Sequence, residues 1–228
     1  MKGINHIFFD LDHTLWDYDR SAQETLREIY NRFELSLGGT TEKKFFNVFY
    51  EVNDRLWHQY NTGEIDREYI KTNRFQNIFK SIGVDEGLSE EASAYFLAHC
   101  STKPYLMPDT MTALFYLQGK YQLHIITNGF LDSQGRKLES SGIKKFFDVM
   151  VTSECVNARK PSAEIFHYSL DKAGAKVTNS IMIGDNPRTD IDGAQKVGLK
   201  TVFYDPSGKK RSLADYTIQS HMELLKLF

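Results

Sequence analysis

The sequence predicts an α/β fold: a doubly wound parallel sheet with a second, helical unit inserted after its first strand. Three observations carry this expectation. Short runs are apolar on both faces, as buried parallel strands are; helix-period segments alternate with the later runs; and a long stretch behind the first run holds no strand pattern.

Ile4 to Leu11 is the first such run, followed by Gln122 to Thr127, Phe147 to Thr152, Ser180 to Gly184 and Leu199 to Tyr204. Between them, Asp109 stands as N-cap before Leu114 and Leu117, and Ser141-Gly142 ends a second helical segment. Ile165, Phe166, Ser169, Leu170 and Ala173 mark a third helix that stops at Gly174, and a fourth is expected from Thr189 to Val197. Within 16–102, Leu26, Ile29, Tyr30 and Phe33 repeat at three- and four-residue steps, as do Phe45, Phe49, Val52 and Leu56. Ala92, Phe96 and His99 close that region, which is expected to hold four helices, and Pro104 and Pro108 mark the return to the sheet. The expected division is 1–15 with 103–228 for the core and 16–102 for the helical unit, which would lie over the carboxyl ends of the strands, where ligands bind in open α/β sheets.

Composition excludes several classes of function. The chain has 228 residues, 28 Lys+Arg against 30 Asp+Glu, and 41% hydrophobic residues, an ordinary globular balance without a basic surplus for polymeric nucleic acid. No apolar stretch approaches the ~20 residues of a membrane span and no signal segment is evident, so a cytoplasmic protein with no membrane partner is expected. Cys100 and Cys155 lack CxxC spacing and read as buried or half-buried thiols.

The chemistry is written at strand ends. Phe8-Phe9-Asp10-Leu11-Asp12-His13-Thr14-Leu15 closes the first apolar run with two carboxylates two residues apart, which in an extended chain face the same side. Adjacent carboxylates repel, so one is pushed toward protonation while a divalent cation keeps its neighbour ionised. Ile181-Met182-Ile183-Gly184-Asp185-Asn186-Pro187-Arg188-Thr189-Asp190 ends a second run in acids, able to supply oxygen ligands opposite Asp10 or simply to cap the next helix. Thr127-Asn128-Gly129 offers a hydroxyl and backbone N–H groups for phosphate oxygens, and Arg159-Lys160-Pro161 offers a cation near a helix start. Taken singly, each of these last two reads as an ordinary turn or a surface lysine.

Together, in order at four strand ends, these motifs resemble the haloacid dehalogenase-like (HAD) superfamily of aspartate-nucleophile phosphatases, over nearly the whole chain. The resemblance implies Asp10 as nucleophile, Asp12 as general acid and base, and Thr127 and Asn128 as phosphate-binding residues. It implies Lys160 as the cation on the transferring phosphoryl group, and Asp185 with Asp190 as the acidic fourth motif. Mg2+ would be bound by Asp10, Asp185 and the backbone carbonyl of Asp12, with Thr14 and Asn186 in support, and the helical insertion would be the family's cap. An acid at position 12 disfavours a dehalogenase, because a halide leaves without a proton. His13, where such phosphatases more often carry a small or acidic residue, and Ser162 after Lys160-Pro161, where Asp is frequent, depart from the pattern.

Thr127-Asn128-Gly129-Phe130 with Gln134 and Leu138, and Gly184-Asp185-Asn186, are similar to the pyrimidine 5′-nucleotidase-like subgroup. That implies a small phosphorylated metabolite, a pyrimidine nucleoside 5′-monophosphate, as substrate of a monomer or homodimer. The alternatives are a sugar or sialic acid phosphate, a phosphomutase, or a catalytically idle binding module. Trp16, Tyr18, Phe130, Trp57 and Tyr60 are candidates to stack on a base, although packing is the commoner use of such aromatics. His58 and His99 read as packing or surface residues, and Lys209-Lys210-Arg211 as a solvent-exposed run without a role.

Overall fold

The computed structural model describes all residues from Met1 to Phe228. After β1 (His6–Phe9) come four helices: α1 (Tyr18–Arg32), α2 (Glu42–Thr62), α3 (Arg67–Ile82) and α4 (Ser89–His99). The chain then continues through α5 (Thr110–Leu117), β2 (Gln122–Thr127), α6 (Leu131–Ser140), β3 (Val149–Thr152), α7 (Ser153–Val156), α8 (Ala163–Lys172) and β4 (Ser180–Gly184). It closes with α9 (Gly193–Lys196), β5 (Lys200–Tyr204), β6 (Tyr216–Ile218) and α10 (Leu224–Leu227). Two compact units result, one of Met1–Tyr18 with Pro104–Phe228 and one of Asp19–Lys103. No helix is long and apolar enough to cross a membrane.

In the first unit all six strands are parallel, in the order β3-β2-β1-β4-β5-β6. The chain winds outward from β1 in both directions, so β1 with its neighbours β2 and β4 forms the switch point where such sheets open a crevice at their carboxyl ends. Register brings Phe9 level with Ile125 and Ile183, so the residues just beyond these positions leave the sheet side by side. One face is sealed by Phe8, Ile126, Val151 and Met182 against Ile165, Phe166 and Leu170 of α8, with Ala194 of α9. Each large side chain buried there contributes about 1.5–3 kcal/mol, enough to make the strand ends a rigid platform. Gly193 allows the close approach of α9, since a Cβ there would lie 2.9 Å from the Pro161 backbone and 2.8 Å from the Phe166 ring.

Several boundaries differ from expectation. β1 stops at Phe9 because the chain turns directly afterwards, Leu15 and Trp16 both donating their N–H to the Leu11 carbonyl at 2.9 Å. The single helix expected from Thr189 is a π-turn, Pro187–Asp192, followed by α9. Its widened loop turns the Asp190 side chain inward, where Oδ2 accepts from the Asn186 N–H at 3.0 Å. Asp109 precedes α5 with φ +62° but does not cap it; its carboxylate accepts from Ser220 Oγ at 3.0 Å. β6 was not expected, being three residues long and largely exposed. Cys100 is buried, but Cys155, on the short α7, is exposed, its Sγ 3.4 Å from Thr152 Oγ1.

The sheet also carries a buried histidine pair. His6 Nδ1 lies 3.1 Å from His124 Nε2, and the His124 ring packs on Phe8 at 4.7 Å. Burial, then the neighbouring His6, push His124 down to about 4, and burial lowers His6 as well, with Asp148 opposing both. A histidine whose folded pKa lies below its unfolded value stabilises the fold above about 6.5 and loses that contribution as pH falls toward 4. We therefore expect the melting temperature of His124→Gln to decline less steeply than that of the parent between pH 6.5 and 4. Parallel curves would remove the pair from the account.

The second unit is a helical bundle whose core includes Leu26, Phe45, Phe49, Leu56, Phe75, Phe79 and Phe96. Thr41 and Asp66 cap α2 and α3 by accepting from Lys44 N and Tyr69 N, and Gly63 and Gly83 end these helices at positive φ. Arg74 is buried among aromatic rings, its guanidinium 4.5 Å from Phe96, and donates to Asn53 Oδ1 at 3.3 Å. Trp57 and Tyr60 meet edge to face at 5.4 Å, with Tyr60 buried and Trp57 partly exposed. His58 and His99 are exposed, and His99 stacks on Tyr95 at 3.9 Å.

Candidate active site

Asp10 is the first residue past β1, anchored by its N–H to the Ile183 carbonyl at 2.9 Å. Its carboxylate Oδ1 accepts from Lys160 Nζ at 2.6 Å. The same ammonium donates to Asp190 Oδ1 at 2.6 Å and to the Ile126 carbonyl at 2.9 Å, so its three protons are all engaged. Lys160 is only 2% exposed, a burial that a lysine tolerates when paired. Burial alone would lower its pKa, but Asp10 and Asp190 outweigh that and hold it above the ordinary lysine range. Asn128 fixes the residue from behind: its Nδ2 donates to the Lys160 carbonyl at 3.0 Å and its Oδ1 accepts from the Lys160 N–H at 2.8 Å. The Asn128 side-chain amide thus clamps the lysine backbone.

Thr127, buried at the end of β2, accepts through Oγ1 from Gly129 N at 3.1 Å and from Gln134 Nε2 at 2.6 Å. Both acceptor positions are filled, which leaves the hydroxyl proton to donate.

Three carboxylates converge opposite Lys160. Oxygens of Asp10, Asp185 and Asp190 all lie within 4.8 Å of one another. Thr14 Oγ1 bridges the cluster, 3.5 Å from Asp10 and 3.4 Å from Asp185. Burial first, then the neighbouring Asp190 and Asp185, push Asp10 well above the usual carboxylate range although Lys160 pulls it down. Asp185 is raised by burial and by Asp190. Two buried acids and the half-buried Asp185, facing one buried lysine, leave surplus negative charge on hard oxygen donors, and this donor set fits a small divalent cation. Gly184 admits the arrangement: a Cβ there would sit 2.3 Å from Asp190 Oδ2. Asn186 supports the turn, accepting from Arg188 N and Thr189 N at 3.0 and 3.1 Å.

Asp12 does not join that cluster with its side chain. It accepts from Lys137 Nζ at 2.6 Å on Oδ1 and 2.9 Å on Oδ2, and from Gln134 Nε2 at 2.9 Å. Burial would raise its pKa, but the Lys137 ammonium and the hydrogen bonds from Lys137 and Gln134 prevail and hold it below the ordinary value. The two aspartates therefore have opposite electrostatic environments, with no partner in common, although they stand two residues apart. His13, next in the chain, has a left-handed backbone, φ +62°, in the turn that follows Asp12.

Sequence reasoning missed Lys137, and it misjudged Lys210. The basic run 209–211 is exposed, yet Lys210 Nζ donates to the Asp185 carbonyl at 3.1 Å and to its Oδ2 at 3.3 Å. The cause is Asp205, buried after β5, whose carboxylate accepts from Ser207 N and Lys210 N and folds the loop back. The signal lay in Asp205-Pro206-Ser207-Gly208, a turn pattern. Of the aromatic candidates, Trp16 and Phe130 are buried and Tyr18 is partly buried.

The profile of the haloacid dehalogenase-like hydrolases matches residues 7–204, and the chain belongs to that family. It is an enzyme of the phosphoric monoester hydrolase class within it. Pyrimidine 5′-nucleotidase YjjG of Escherichia coli (strain K12) is 30% identical over 225 residues, 97% of this chain and 96% of that protein. N-acylneuraminate-9-phosphatase of Homo sapiens is 27% identical over 98% of this chain and 93% of its own length. Among solved structures, the HAD-hydrolase YfnB of Bacillus subtilis, bound to magnesium, superposes with a TM-score of 0.88 over 99% of both chains at 24% identity, a likeness of fold.

Proposed function

We propose that the chain is a Mg2+-dependent phosphatase that works through an aspartyl-phosphate on Asp10 and takes pyrimidine nucleoside 5′-monophosphates as substrate. The observation that carries the mechanism is the contrast between Asp10, crowded by acids and steadied by Lys160, and Asp12, held apart on a separate cation. The substrate class rests on the full-length similarity to YjjG. The helical unit Asp19–Lys103 is read as the family's cap.

Phosphate monoester hydrolysis asks for acceleration approaching ~10²¹-fold, most of which must come from charge control and positioning. Asp10 Oδ attacks phosphorus as the bond to the ester oxygen breaks, while the Lys160 charge reduces the repulsion between carboxylate and phosphate. Since the Lys160 protons are already engaged, it acts through its field, and the Thr127 hydroxyl is the side-chain donor for a phosphoryl oxygen. Asp12 is ionised in the resting protein; the anionic phosphate entering beside it offsets Lys137 and raises its proton affinity, so that it takes up a proton from solvent as substrate binds. Asp12 then passes a proton to the leaving alkoxide and takes one back from the water that cleaves the aspartyl-phosphate, releasing inorganic phosphate and restoring Asp10. Mg2+, held by Asp10, Asp185 and the Asp12 carbonyl with Asp190 supporting, supplies further neutralisation of phosphoryl charge when bound.

The test is phosphate release across pyrimidine and purine 5′-monophosphates, sugar phosphates and a sialic acid phosphate, with Mg2+ and with chelator. Turnover is expected to be greatest on the pyrimidine nucleotides, to vanish with chelator and to return with Mg2+. Preference for the sialic acid phosphate would move the substrate toward the N-acylneuraminate-9-phosphatase relatives. An isomerised phosphosugar without free phosphate would point to a mutase, and no turnover on any compound would overturn the enzyme reading.

A further inference from the structure

We infer that Lys137, assisted by Gln134, is a positioning residue that fixes the Asp12 carboxylate in the orientation needed for proton transfer to and from the reacting oxygen. The inference rests on the reading of Asp12 as the proton carrier and deepens it. Gln134 and Lys137 stand three residues apart on α6, on one face, and both are buried, Gln134 completely and Lys137 to 6% exposure. A buried lysine needs a counter-charge, and here it is a site carboxylate contributed by a distant segment, 125 positions away in sequence. The ammonium contacts both carboxylate oxygens, while its other side lies 4.6 Å from the Trp16 ring centroid and 6.0 Å from that of Tyr18. Lys137 thus contacts the aspartate and lies beside Trp16 of the same loop and Tyr18 at the start of α1.

Gln134 adds a second constraint. Its amide nitrogen donates to Asp12 Oδ2 and to Thr127 Oγ1, tying the proton carrier to the hydroxyl at the end of β2. An ionised carboxylate only accepts, which fixes which end of the amide faces it. This reach requires Gly129, where a Cβ would stand 2.2 Å from Gln134 Nε2. Without these partners Asp12 would be a two-torsion side chain on a turn, free to swing between rotamers. Misplacement of a catalytic group by about 1 Å costs on the order of 10²-fold.

The experiment uses the full chain with Lys137→Met, comparing the rate of the first leaving-group release, before the shared cleavage of the aspartyl-phosphate, on a nucleoside 5′-monophosphate, whose alkoxide needs a proton to leave, and on p-nitrophenyl phosphate, whose phenolate needs little. The expected result is a fall in that first-step rate of about 10–100-fold on the nucleotide but only about threefold on the aryl ester. Asp12→Asn should give the same signature, the double variant should be no slower than Asp12→Asn alone, and Lys137→Arg should recover part of the nucleotide rate. Gln134→Met, which keeps the volume and the Lys137 charge, should show a smaller loss of the same kind and serves if Lys137→Met does not fold. Equal losses on both substrates, or multiplying losses in the double variant, overturn the inference while leaving Asp12 in its role. Equal losses in Asp12→Asn itself remove the proton carrier and the inference with it.

Discussion

Asp10→Asn lowers phosphate release by on the order of 10⁴- to 10⁶-fold, the scale seen when a covalent nucleophile is removed, while the protein remains folded. The second half of this expectation is the more diagnostic. Asp10 is a buried carboxylate beside Asp185 and Asp190, pushed well above its usual pKa by burial and by those neighbours. An acid raised in the folded state contributes less stability as pH rises above its unfolded pKa, so at neutral pH its charge works against the fold. The amide removes that charge, and Lys160 keeps Asp190 as its partner at 2.6 Å. A melting temperature equal to or above that of the parent, with activity lost, is the predicted pair of results, read by thermal denaturation and phosphate release. A large fall in melting temperature would mean that Asp10 is a structural partner of Lys160 more than a strained reactive group.

Lys160→Met has the opposite stability effect. It leaves Asp10 and Asp190 facing each other in the interior without their shared cation, and breaking a buried pair in this way costs ~3–5 kcal/mol. For a chain of this size that is roughly a 6–20 °C fall in melting temperature. The deserted carboxylates can take up protons, so the deficit should grow as pH rises from the carboxylate range to neutrality. Adding Asp190→Asn should recover part of the loss, since one of the two stranded charges is then gone. Urea unfolding of the parent, single and double variants across that range measures this directly. A uniform deficit at every pH, or no recovery in the double variant, would contradict the reading of Lys160 as the cation that holds the acid cluster together.

What the sequence revealed follows from where chemistry meets periodicity. Asp10, Thr127 and Asp185 each follow an apolar run that ends in the sheet, so their placement at neighbouring strand ends could be read before any coordinates. Lys160 was legible only from its company, because a lone lysine before proline looks the same whether solvated or, as here, 2% exposed. Lys137 was illegible: in α6 it reads as one more polar residue of an amphipathic helix, and its partner Asp12 is set by a turn whose left-handed residue at His13 the sequence does not announce. Lys210 was misread because its reach to Asp185 depends on Asp205 folding the loop. The His6–His124 contact depends on strand register, since His6 lies level with Gln122 and His124 with Phe8. Gly129 showed as part of a turn and Gly184 as the end of an apolar run, whereas their use is to admit the Gln134 and Asp190 side chains against the backbone.

The central claim is that one carboxylate carries the phosphoryl group between substrate and water. Acid-quenched turnover followed by peptide mass spectrometry addresses it most directly: the account predicts one acid-stable, base-labile phosphoryl adduct on the peptide bearing Asp10, absent in Asp10→Asn and more abundant in Asp12→Asn with an aryl phosphate. Rapid phosphate release by the parent with no adduct on that peptide at any quench time, or an adduct on another residue, would contradict it.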